Sequence, residues 1–417
     1  MTGGELGGRG AAIVAGLFKA RIFILAAALA LTALAGFTIF RLPPVFLVSI
    51  LELSAFVALI WACGVYALLL SVRLAVIAVL APWIGWFWLL GIAAYWNMAP
   101  LATASFPSVV AGLLIAAFGV HAMAAALTQG ADKLAAVRSA LGITLAVGIP
   151  TLLSASASMA AITYPSFHVG LIIPTSFVIM LVVCVLPPPL VASLLRFNEA
   201  FIARTNRARE RREWLISFFA MLSVPRWAFT TVGITAVLST VIYFDKSFAP
   251  LWQTVGVPFA IAFTVVGVLG AIVMRNWRCV FSCAVPPFLA SIIGAWVIME
   301  LGVAPDSVRE IAPAVVLMVG SAIGAGFIYF LATPTTAYQR AGDPMIIAFS
   351  RALNETGAVI IILGIGLALP MLVFLPGLAL LPLFHIIGAL VLFPAIATAL
   401  DDLFPRRRSL EGSEEVV

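Results

Sequence analysis

Charge is what this chain has least of. Asp, Glu, Lys and Arg make up 10% of its 417 residues, where an ordinary soluble domain carries roughly a quarter. With 64% hydrophobic residues and a mean hydropathy of +1.19, a soluble globular reading is excluded. Histidine is scarcer still: His121, His168 and His385 lie in three separate segments. No Gly-x-Ser-x-Gly elbow, His-Glu-x-x-His pair or phosphate-cradling glycine loop occurs, so neither an enzyme nor an ATPase is expected, and no catalytic residue is assigned. The four cysteines, Cys63, Cys184, Cys279 and Cys283, sit in or beside apolar runs without His or carboxylate at ligand spacing. They are expected to pack, and neither a metal nor another cofactor is expected.

The net charge of +6 and pI near 9.5 do not indicate nucleic acid, because the basic residues fall in short connections between apolar runs instead of on one soluble face. Those runs are long enough to span a bilayer, and lipid offers no partners to an open strand, so each must be a helix. The first set of spans is expected near 22–40, 45–70, 74–95, 105–127, 141–163 and 169–194. A second set follows near 227–244, 254–274, 279–300, 311–332, 355–375 and 377–400. The expected fold is thus an all-α membrane protein of about twelve transmembrane helices.

The two sets superpose on adding 205, which carries Arg21 onto Arg226, Arg73 onto Arg278, Pro82 onto Pro287 and Gly119 onto Gly324. Gly170 and Pro187 meet Gly377 and Pro394 at 207, and VRSAL (Val137 to Leu141) is echoed by SRAL (Ser350 to Leu353). A nearly constant offset marks a duplicated unit. Six spans being even, the copies run parallel. The expected organisation is a tail 1–21, a first six-helix repeat 22–195, a linker 196–226, a second repeat 227–400 and a tail 401–417. With the N-terminus inside, every Lys and Arg except Arg41, Lys246 and Arg309 faces the cytoplasm, so both termini are expected in the cytoplasm of a cell inner membrane. The linker holds Arg204, Arg207, Arg211 and Arg212 among aromatic and aliphatic residues, a composition suited either to an anionic membrane surface or to a solvated connection.

Two segments carry a resemblance. Phe106 to Leu195 contains FPSVVAGLLIAAFGVHAMAAA, GADKLAAVRSALG and FHVGLIIPTSFVIMLVVCVLPPPLVASL, and Pro313 to Leu400 repeats it with GSAIGAGFIYFLA, GDPMIIAFSRALNETG and ALVLFPAIATAL. These resemble the transmembrane halves of the resistance-nodulation-division (RND) superfamily, especially its lipid-exporting MMPL and hopanoid-associated branch. There a glycine-rich fourth span is followed by a basic loop and a sixth span closing on Leu-Pro. The resemblance implies a transporter of a hydrophobic or lipid substrate, proton-coupled in the family through intramembrane aspartates. In this chain the corresponding positions read His121 and Gly326. The family's large periplasmic domains are replaced by FRLPP (Phe40 to Pro44) and FDKSFAPLWQ (Phe244 to Gln253), so a separate periplasmic protein is an expected partner besides the lipid or hydrophobic small molecule. The alternative is a non-transporting lipid sensor or scaffold within a larger complex.

An ionisable side chain inside a membrane is expensive and an imidazole titrates near neutrality, so His121 is a candidate proton relay; a neutral histidine bonded to a neighbouring helix is the other reading. Thr151, Ser154 and Ser158 recur at three and four residues and are expected to line one side of the fifth span beside it. Small hydroxyl residues equally permit close packing. Glu52 and Glu300 are expected at the outer interface, and Glu355 at the start of the eleventh span, complementing the helix dipole. Pro150, Pro174, Pro187 to Pro189, Pro258, Pro286, Pro287 and Pro370 are expected to kink spans.

Overall fold

The computed structural model describes residues 12–40, 44–96, 106–163, 169–195, 207, 225–244, 249–300, 312–374 and 376–403. Their long helices are α1 (Arg21–Ile39), α2 (Pro44–Leu69), α3 (Val72–Tyr95), α4 (Phe106–Thr128), α5 (Lys133–Thr163), α6 (Val169–Val185) and α7 (Pro187–Leu194). There follow α8 (Pro225–Phe244), α9 (Ala249–Met274), α10 (Cys279–Glu300), α11 (Ala312–Arg340), α12 (Met345–Phe374), α13 (Leu380–Ile387) and α14 (Phe393–Leu403). Among the described residues there is no strand. Ten helices are long and apolar enough to cross a membrane, and the parts Ala55–Leu69 of α2 and Gly233–Ile242 of α8 are shorter apolar helices. The chain is a multi-pass membrane protein, with Ile22, Phe23, Leu29 and Phe37 of α1 and Val257, Ile261 and Ile272 of α9 exposed where lipid replaces water.

Helix ends depart from hydropathy in three places. The basic stretch after α4, expected as a loop, is a tight turn followed by helix: α5 begins at Lys133, eight residues before the expected span. Gly130 sits at φ +85°, with Ala131 N donating to Ala126 O and Gly130 N to Leu127 O. That is the Schellman closure, which needs a left-handed residue and so favours glycine. Asp132 then caps α5, its Oδ1 accepting from Ala135 N at 2.6 Å. Gly342, at φ +101°, ends α11 in the same way, with Asp343 N donating to Tyr338 O. Consequently α11 runs to Arg340 and α12 starts at Met345. Glu355 is therefore not in the first turn of its helix; it accepts a hydrogen bond from the Tyr338 hydroxyl instead. The dipole explanation fails for that residue.

Proline explains the two broken spans. α6 and α7 part at Leu186, where Pro187, Pro188 and Pro189 supply no N–H to the preceding carbonyls. The last span passes through a π turn at Gly388–Leu392 just before Pro394. Lys133 Nζ donates to the carbonyls of Ala192 and Leu195 at 3.3 and 3.1 Å, satisfying the end of α7. The segment expected as an N-terminal tail is helical over 12–19, with Val14 fully buried. Of the linker only the exposed Arg207 is described. His168, the side chains of Glu52 and Glu300, the outer connections and the tail beyond Leu403 lie outside the described residues.

At the centre, α11 packs against α4, α5, α9, α10, α12 and α13. Its apolar window is 89% buried, against 17% for α1. Small residues make this possible, since without a hydrophobic drive in lipid, helices hold by close backbone approach and interhelical hydrogen bonds. The packing also crosses between the expected halves: α2 lies on α12 and α9 on α5. At the former contact Gly64 and Gly366 meet beside the buried Trp61. Leu70 and Arg275, 205 residues apart, both take φ +49° at the ends of α2 and α9. Non-glycine residues seldom do so.

Candidate functional site

The register of α4 on α5 follows from two glycines. A Cβ on Gly119 would lie 2.5 Å from Thr144 Oγ1, and one on Gly148 would lie 3.0 Å from Ile115 Cγ2. The helices are thus antiparallel, with 119 level with 144 and 115 with 148. His121 is then level with Gly142, nine residues from Thr151, which at about 1.5 Å per residue is roughly 14 Å along the axis. Ser154 and Ser158 lie further away. The expectation that these hydroxyls stand beside His121 is therefore corrected: spacing along α5 fixes their face, whereas their height against α4 depends on packing.

His121 is partly buried and meets Phe330 of α11 edge-on, with centroids 6.4 Å apart at 79°. The same Phe330 ring stacks on Phe118 at 3.8 Å and 7°. One turn away on α11, Gly326 faces Leu114 of α4 and Thr151 of α5, at 3.2 and 3.6 Å from an added Cβ. Gly326 and Thr151 thus come together while His121 occupies the next layer. A small void of about 20 Å³, lined by Gly119, Val120, Thr144, Cys184 and Pro187, lies between the two levels. It is room for about one water.

Thr151, Ser154 and Ser158 do share one face of α5, and it is turned to α11. All three are fully buried. Ser158 Oγ lies 2.5 Å from Ser321 Oγ, and Ser154 Oγ 3.0 Å from the hydroxyl of Tyr329. Tyr329 also donates to Val266 O of α9 at 2.8 Å, and Ser154 to Pro150 O at 2.8 Å. Two hydroxyl protons face three contacts, so the pair has two arrangements: Tyr329 on Val266 with Ser154 on Tyr329, or Ser154 on Pro150 with Tyr329 on Ser154. A second string joins Ser108 of α4, Ser176 of α6 and Ser156 of α5 at 3.1 and 2.6 Å. Thr151 itself returns its hydroxyl to Val147 O within α5.

Tyr329 and Ser321 were not legible as partners from sequence, although a tyrosine inside GSAIGAGFIYFLA, amid residues with no other hydroxyl ring, was the available signal. Tyr329→Phe and Ser154→Ala are each expected to destabilise the protein by about 1 kcal/mol, with a coupling of about 0.6 kcal/mol between them. Reversible unfolding in mixed micelles over the double-mutant cycle measures both. Additive losses would mean that the hydroxyls do not act as a pair.

On the opposite side of α11, His385 of α13 lies against Gly320 and Gly324, its Nε2 3.3 Å from Ser291 Oγ of α10. Sequence gave no sign of this cluster beyond the Gly-x-x-x-Gly spacing of 320 and 324. Cys279 and Cys283 are buried in α10, Cys283 against Gly270. Among the described residues no three His, Cys, Asp or Glu side chains converge as a metal site.

A scan against protein-family models finds no match. A search of curated proteins likewise finds none. Among solved structures, the chain is similar to SecDF, a translocon-associated membrane protein from Thermus thermophilus, with a TM-score of 0.52 at 14% identity. The likeness covers 86% of this chain and 63% of that one, so this chain spans less than two thirds of SecDF. The fold is a SecDF-like bundle of membrane helices.

Proposed function

We propose that this chain is the membrane part of an RND-like transporter that moves a hydrophobic or lipid substrate with proton coupling. The observation that carries the reading is a buried polar layer on α5 and α11, inside a bundle whose fold is that of SecDF, an RND superfamily member. Desolvated hydroxyls are costly unless paired, and a paired set with two proton arrangements is a natural element of a proton path. His121 supplies the titrating group and Gly326 with Thr151 the next layer. The separation of roughly 14 Å requires bridging water, for which the void beside Gly119 and Thr144 has room.

Two parallel six-helix repeats, 22–195 and 227–400, are supported by the matching left-handed ends at Leu70 and Arg275 and by the exchanged packing of α2 on α12 and α9 on α5. The distribution of Lys and Arg supports cytoplasmic termini in an inner membrane. The short connections at Phe40 to Pro44 and Phe244 to Gln253 leave substrate collection outside the membrane to a separate periplasmic protein.

In proteoliposomes with a lipid extract as substrate, the native chain is expected to show substrate-dependent proton flux, and His121→Ala to reduce it at least tenfold. Full flux in His121→Ala would remove the relay. No flux in either form would favour the second reading, an accessory subunit of a larger complex, which the translocon association of SecDF suggests. Co-isolation of one stoichiometric partner from native membranes would support that alternative.

A further inference from the structure

His385 is 1% exposed and sits where three helices meet. From α10 it faces Pro287 and Ser291, and from α11 the glycines Gly320 and Gly324. A Cβ on Gly324 would lie 2.8 Å from Nδ1 and 2.9 Å from Cε1, and one on Gly320 3.1 Å from Nε2, so the ring occupies the space that these two glycines leave. Nε2 has the Ser291 hydroxyl, whereas Nδ1 is buried with no hydrogen-bond partner. A neutral imidazole carries one proton on two nitrogens. If Nδ1 holds it, a buried donor is left unmet; if Nε2 holds it, a buried acceptor is. Neither tautomer satisfies the ring in this packing, and a buried polar group without a partner calls for an explanation.

We propose that His385 is an intramembrane proton-binding site, distinct from His121, whose occupation drives α13 away from the glycine face of α11. Nothing facing the ring carries charge. The titratable groups on the elements packed against it stand elsewhere: Cys279 and Cys283 on α10, Tyr329 and Tyr338 on α11, and Arg351 and Glu355 on α12 are each at least five residues along their helices from its contacts. Glu300 ends α10 nine residues past Ser291. With no carboxylate at hand, an imidazolium in the closed packing has its charge desolvated and unpaired, the costly situation in a membrane interior. Water admitted by separating α13 from α11 relieves that cost and gives Nδ1 a partner. Proton uptake and opening therefore become one event, and acidification shifts the population toward the opened form. The π turn at Gly388–Leu392, directly after α13, gives the last span a place to bend.

The site depends on the transport reading for its purpose, but its test follows conformation instead of flux, so either can fail alone. The full chain in nanodiscs is to be followed by hydrogen exchange at a series of pH values, with intrinsic rates divided out. Protection of the segments around Gly320 to Gly324 and His385 is expected to fall at least tenfold from about pH 8 to about pH 5, across the ordinary histidine range near 6.5. His121→Ala is expected to keep that fall and His385→Gln to abolish it. Ser291→Ala retains the ring but loses its remaining partner, and is expected to move the midpoint to higher pH. A native protein without the fall, a fall that persists in His385→Gln, or a midpoint unmoved by Ser291→Ala would each overturn the proposal.

Discussion

Gly324→Val is expected to abolish the folded protein in the membrane, or to lower its stability by about 3 kcal/mol where folded protein is recovered. An added Cβ there lies 2.5 Å from Pro287 Cβ and 2.8 Å from His385 Nδ1. Distances under 3 Å cannot stand, and neither neighbour yields easily: Pro287 is a rigid ring within α10, and His385 is enclosed on every side. Overpacking of well-packed sites costs about 1–3 kcal/mol even where some adjustment occurs. The valine adds a branched, stiff side chain to that. In lipid the penalty is not offset by burial, because an apolar surface gains little by moving from acyl chains to protein.

Gly142→Ala is the matching control. Its Cβ meets nothing within 4 Å, and it lies inside α5, where alanine gains about 1 kcal/mol over glycine in helix propensity. Thermal unfolding in detergent should show Gly142→Ala at or above the native midpoint, while Gly324→Val yields little folded protein. Equal effects from the two would mean that the glycine face of α11 does not set the packing.

The contrast shows which parts of this molecule a sequence displays. Helix existence was legible, because a bilayer forces long apolar runs into helices regardless of their neighbours. Helix ends were less so: hydropathy ends the fourth-to-fifth and tenth-to-eleventh connections where the lipid ends, whereas the helices continue to the left-handed glycines Gly130 and Gly342. Glu355 illustrates the consequence, since its partner Tyr338 belongs to a helix extension that hydropathy does not reach. The shared face of Thr151, Ser154 and Ser158 was legible because one helix's periodicity determines it. Their partners Ser321 and Tyr329, the distance to His121 and the enclosure of His385 were not, because these arise from contacts between residues roughly a hundred or more apart. A Gly-x-x-x-Gly spacing announces close approach but not what approaches; here it is an imidazole.

Phe330→Ala is expected to carry the second large effect, a loss of about 2–3 kcal/mol together with most of any activity routed through His121. Phe330 belongs to α11 and stacks face to face on Phe118 of α4 at 3.8 Å, and the same ring holds the edge of His121. Truncating a buried phenylalanine in water costs about 3–5 kcal/mol. Part of that is transfer from water, which a lipid-solvated reference lacks; the cavity and the lost stacking remain. Phe330→Leu fills most of the volume without the ring face, so it separates the two contributions: stability should recover substantially while the orientation of His121 does not. Unfolding midpoints together with the histidine ring's chemical shifts measure the two quantities independently. If Phe330→Leu restores the His121 signal along with stability, then volume alone holds that layer. If stability returns without the signal, the aromatic face positions the imidazole, and the α4–α11 contact links packing to whatever His121 carries.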